Sequence, residues 1–148
     1  MQGELGFLLW ESVNHWQRKM TEHLKPLGIT HVQYLLLSGV SELQKKHEAV
    51  TQVHLAGVLR IDTMMTSKVC RTLQRKGLIL RANHRFDTRA KALVITKAGL
   101  ATVENAGNVI RQVNDVFFQG VDHAALKTLL SQLLGLQAPK DQLINATL

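Results

Sequence analysis

Apolar residues recur along the start of the chain at steps of three and four: Leu5, Leu9, Val13, Trp16, Met20 and Leu24. Glu11, Arg18, Lys19 and Glu22 fall off that stripe. The spacing predicts one long amphipathic helix that closes near Pro26 and Gly28. Thr30, with Gln33 three residues on, supplies the two halves of a capping box for a second, mostly buried helix reaching Leu43. The polar run from Gln44 to Ala49 predicts a loop. A short third helix follows over 51–59, capped by Thr51, with Val53, Leu55, Ala56 and Leu59 as its apolar positions and Ala56 small enough to admit a close neighbour.

The next helix is the most patterned. Asp62 or Thr63 caps it, it runs to Lys76, and Gly77 is suited to the left-handed position that ends it. At 100° per residue, Thr66, Val69, Cys70 and Leu73 gather on one face, and Met64, Lys68, Arg71 and Arg75 on the opposite one. Leu78 to Arg81 and Lys91 to Thr96 are β-prone runs around a polar tip with Asn83, His84 and Arg85, a hairpin pattern. After Gly99 a helix of about twenty residues carries Leu100, Val103, Ile110, Val113 and Phe117 and breaks near Gly120. Asp122 then caps a last helix bearing Leu126, Leu129, Leu130, Leu133 and Leu134.

Charge changes the picture. Residues 60–97 hold ten basic side chains against Asp62 and Asp87, whereas the rest of the chain is close to neutral, so one quarter of the sequence supplies the net charge of +7. A patch this concentrated is the footprint of a polyanion binder. The chain's 148 residues suit one domain, and its few aromatics and many aliphatics favour helices. The single cysteine, Cys70, excludes an internal disulfide and a cysteine-based zinc site, and the absence of a secretory pattern at the N-terminus adds to the expectation of a cytoplasmic protein. No membrane span is expected. The terminal helices carry more apolar surface than a small basic domain needs for its own core, which points to a homodimer.

The stretch from Leu55-Ala56 to Gly99 resembles the MarR family of bacterial transcription regulators. The resemblance is carried by LAGVLRIDTMMTSKVCRTLQRKGLI, by Arg81, and by Asp87-Thr88-Arg89-Ala90-Lys91 followed by Ile95-Thr96 and Gly99. It implies a mainly α fold: a winged helix-turn-helix with a two-to-three-stranded β wing and long N- and C-terminal dimerisation helices. The expected organisation is a single domain over 1–148, with the DNA-binding core at 30–98 and dimerisation helices at 1–28 and 99–148. The implied activity is homodimeric binding of double-stranded operator DNA, with repression relieved by a small aromatic or phenolic effector.

On that reading the fourth helix enters the major groove, where Ser67, Lys68 and Arg71 donate to base edges or phosphates. Arg75 and Lys76 lie nearer its C-terminus and are expected on phosphate, which fixes position without reading sequence. Met64 and Met65 depart from the small hydroxyl residues common in the family. Contact with thymine methyls, a looser sequence preference, and partial burial of Met65 against the preceding helix are the alternatives. In the wing, Arg89 is expected in the minor groove and Lys91 on backbone phosphate, Arg85 is a further DNA-binding residue, and Asp87 orients an arginine or braces the turn.

Cys70 falls on the inner face, where a buried thiol behaves as a small hydrophobe with a raised pKa. Seven histidines show no tight ligand spacing, so neither a metal nor a cofactor is expected. His15, Trp16, Met20 and Tyr34 are candidates to line an effector cavity or to serve as core. A winged-helix architectural or protein-interaction module without a specific operator is the alternative function. An enzyme is not expected, because no phosphate-binding loop or nucleophile-base pairing is visible.

Overall fold

A computed structural model describes residues 3–46, 49–83 and 91–135. Element order is α1 (Leu5–Leu24), a 3-10 turn (Lys25–Leu27), α2 (His31–Lys46), β1 (Val50–Thr51), α3 (Gln52–Leu59), α4 (Thr63–Arg75), β2 (Ile79–Asn83), β3 (Lys91–Ile95), α5 (Lys97–Phe117) and α6 (His123–Leu133). The mainly helical winged arrangement expected from the sequence is therefore present. Residues up to Val113 form one compact unit and those from Asn114 another.

Local chemistry places the helix boundaries. Thr30 and Gln33 make both halves of the capping box at 3.2 Å. Thr51, Asp62 and Asp122 each accept a backbone N–H from the residue three positions on, at 3.2, 2.9 and 3.0 Å. Gly77, at φ +70°, ends α4. Its left-handed turn sends the Leu78 N–H back to the Leu73 carbonyl at 3.0 Å, the long hydrogen bond of a Schellman cap.

In the first unit, α2 is the central element, packed on α3, α4 and β3. Its Leu36, Leu37 and Val40 are fully buried with Leu24, Leu55, Leu73, Ile79 and Leu93 in one core. Of the α1 stripe Met20 and Leu24 are buried in that core and Trp16 packs against it, whereas Leu5, Leu9 and Val13 remain exposed. In the second unit, α6 buries none of its residues, and Leu129, Leu130 and Leu133 are exposed.

Three differences from the sequence reading bear on the site; besides them, β2 runs on to Asn83, which the pattern placed in the polar tip. The helix α2 continues through Gln44 to Lys46, because the Gln44 side chain accepts the Ile95 N–H at 3.0 Å and Lys45 donates to Glu42 at 2.7 Å, which also holds the Glu42 carboxyl below its usual range. The sheet has a third strand, β1, two residues long and defined only by pairing with β3; the antiparallel order is β1-β3-β2.

The third difference is that α5 starts at Lys97, ahead of Gly99. Thr96 is its cap, accepting the Gly99 N–H at 3.0 Å while its hydroxyl donates to the Gly77 carbonyl at 2.7 Å. One threonine thus joins the end of α4, the end of β3 and the start of α5. Gly99 is needed there for closeness: a Cβ would lie 2.2 Å from the Leu78 carbonyl oxygen. Because the obstacle is backbone, Gly99→Ala should destabilise the protein by at least ~1–3 kcal/mol, read as a lower urea midpoint with an unchanged slope.

Candidate nucleic-acid interface

The site is built on α4, whose buried residues are those of the predicted inner face: Thr66, Val69, Cys70 and Leu73. Three of them are apolar core. Thr66 satisfies its hydroxyl within the helix by donating to the Asp62 carbonyl at 2.9 Å. Cys70 is fully buried, and burial pushes its thiol pKa up against the opposing pull of the Arg81 guanidinium and the Gln52 side chain. It belongs to the core, as its position on the inner face implied.

The opposite face is exposed along its length and carries Met64, Lys68, Arg71 and Arg75. These sit at steps of four, three and four residues, one straight stripe along the helix. Lys68, Arg71, Gln74 and Arg75 line an open concavity of about 400 Å³. Gln74 is an addition to the candidates. It lies three residues after Arg71 at the edge of the same stripe, a helical offset visible in the sequence, but it carries no charge to mark it. Arg75 leans along the helix and donates to the Thr72 hydroxyl at 3.2 Å. Ser67 is half-buried at the border of the face, and Met65 is 51% exposed.

Two cations of the basic segment are engaged elsewhere. Lys76 donates to the Gly28 carbonyl and, at 3.1 Å, to Gln33 Oε1, tying the end of α4 to the α1–α2 turn. This tie, made by a residue expected on phosphate, spans 48 residues of sequence and so leaves no local signature. Arg81 is partly buried beside Cys70.

In the wing, Lys91 is exposed in the last β2–β3 pair, at the end of the strands away from Thr96, and donates to Asn83 Oδ1 across that pair at 2.6 Å. Arg85, Asp87 and Arg89 lie outside the described residues.

A separate aromatic group joins α1 to α2. Trp16 meets His31 edge-on with ring centroids 4.9 Å apart, and His31 stacks near Tyr34 at 6.4 Å. Burial holds the His31 imidazole below its usual pKa. The Tyr34 hydroxyl lies against Gly107 of α5, close to Arg111. Of the effector candidates, Trp16 and Tyr34 therefore fall together, Met20 is core and His15 is exposed. His31 was not among them, since one histidine at a helix start carries no periodic signal. Among the described residues no three His, Cys, Asp or Glu side chains group as a metal site, and no helix is long and apolar enough to cross a membrane.

Comparison with known proteins adds three findings. The chain is 37% identical over 113 residues to YdcH of Bacillus subtilis, an HTH-type transcriptional regulator, covering 76% of this chain and 77% of that one. Its fold matches a cysteine-to-serine mutant of MarR from E. coli complexed with operator DNA, with a TM-score of 0.79, 25% identity and coverage of 88% and 93% of the two chains. It also matches BpsR of Bordetella bronchiseptica, whose DNA binding is regulated by 6-hydroxynicotinic acid, with a TM-score of 0.79, 18% identity and coverage of 94% and 97%. No family model matches the chain.

The two faces of α4 predict separable phenotypes. Leu73→Ala should cost ~2–5 kcal/mol of stability, because it empties a fully buried site. Arg71→Ala should leave the thermal midpoint within about a degree or two, as expected for an exposed substitution, while weakening duplex binding in an anisotropy titration. Equal losses of stability in the two variants would contradict the assignment of faces.

Proposed function

This chain belongs to the MarR family of winged helix-turn-helix transcriptional regulators, and we propose that it is a homodimeric, sequence-specific repressor released from its operator by a small molecule. The observation that carries the reading is the division of α4. A buried inner stripe, apolar but for the internally bonded Thr66, fixes the helix in the core, and the opposite stripe presents Lys68, Arg71 and Arg75 to solvent. A helix held in this way enters the major groove with its cations toward bases and phosphates.

In this account Lys68 and Arg71, with Ser67 and Gln74 beside them, read base edges, and Arg75 and Lys91 hold phosphate. Arg89 and Arg85 take the adjacent minor groove, with Asp87 as their support. The dimer forms through the segments 1–28 and 99–148, to which α1, α5 and α6 belong. The exposed Leu5, Leu9, Trp10 and Val13 of α1, and separately Leu129, Leu130, Leu133 and Leu134 of α6, support this part of the reading, because apolar rows of this kind are uncommon on a monomer. The protein works in the cytoplasm, as a binding protein and not a catalyst. An aromatic acid or phenol is the effector class. Trp16, His31 and Tyr34, with Arg111 beside the tyrosine, have the chemistry to hold a ring and a negative charge, and BpsR responds to a molecule of this class.

Selection of duplexes from a random pool at physiological salt tests the reading. The expected result is an enriched inverted repeat with half-sites about 10 bp apart, one helical turn, as a two-fold dimer requires. Retention of DNA without any enriched motif would favour the architectural alternative and sink the operator reading.

A further inference from the structure

The basic stripe of α4 has an apolar head. Met64 is 80% exposed and Met65 beside it 51%, so apolar surface precedes the cations along the helix. Met64 stands in line with Lys68, Arg71 and Arg75, one turn toward the N-terminus, and so enters whatever groove those cations enter. The first turn, Thr63–Thr66, carries no basic residue, and the Asp62 carboxylate is bound to the Met65 N–H at 2.9 Å. A negative cap and the lack of a cation make this end of the helix a poor phosphate site. What remains for it in the groove is the apolar part of a base edge.

Only one base has such an edge in the major groove: thymine, through its C5-methyl. We propose that Met64 is a specificity residue that covers thymine methyl groups and imposes a preference for T at one position of each half-site. A thioether on a flexible, unbranched stem follows a methyl without demanding hydrogen-bond geometry, whereas Lys68 and Arg71 reach the donor and acceptor positions of neighbouring pairs. Met65, rotated about 100° from the stripe and only half exposed, flanks this contact and does not make it. The inference rests on the operator-binding reading above.

The test replaces each thymidine of the selected duplex in turn by deoxyuridine, which deletes the methyl and leaves base pairing intact. Affinities are measured for the wild-type protein, Met64→Ser and Met65→Ser. For the wild type, one position per half-site should lose about fourfold, the worth of one buried methyl, and about sixteenfold when both half-sites are changed. Met64→Ser should bind the thymine and uracil forms alike, and Met65→Ser should keep the wild-type response. Wild-type binding indifferent to every substitution, or Met64→Ser as sensitive as wild type, would overturn the proposal while leaving DNA binding intact. Failure of the wild type to bind any duplex would overturn both readings.

Discussion

The architecture depends on the burial of one face of α4. Val69, Cys70 and Leu73, with Thr66 satisfied inside the helix, lie in the core that α2 and α3 provide. Burying three side chains of this kind is worth several kcal/mol, more than any contact available to the exposed side. Rotation of the helix is therefore not free. Any turn that withdrew Lys68, Arg71 and Arg75 from solvent would expose apolar residues and bury charges together. The exposed cationic surface is a by-product of the packing surface, and its side chains need contribute nothing to stability.

Secondary ties then fix the helix along its axis. Asp62 holds the first turn, Gly77 closes the last, and Lys76 fastens the end to the Gly28 carbonyl and Gln33. Thr96 continues the chain of contacts into the sheet and α5 by engaging the Gly77 carbonyl and the Gly99 N–H. The same short segment thus links the reading helix, the base of the wing and the long helix α5.

The parts legible in the sequence were those with local causes. The capping box at Thr30 and Gln33, the caps at Thr51, Asp62 and Asp122, and the two faces of α4 all follow from neighbours three and four residues apart. What escaped has distant causes. The last turn of α2 is held by the Ile95 N–H, 51 residues from Gln44, and Lys76 is bound to a carbonyl 48 residues away. Two-residue β1 has no periodicity to read, and it exists because β3 pairs with it. Within the candidate site, Met64, Lys68, Arg71 and Arg75 were legible from the helical period alone. The partial burial of Arg81 and the joining of Trp16 to Tyr34 through His31 were not.

The central claim is that the exposed stripe of α4, and not some other basic surface, meets the nucleic acid. The salt dependence of duplex binding tests it most directly, because each phosphate neutralised adds about 0.9 to the slope of log K against log salt. The protein with Lys68, Arg71 and Arg75 all changed to alanine keeps its core and should bind with a slope shallower by as much as about three per subunit. An unchanged slope in the folded variant would contradict the account and move the interface elsewhere on the protein.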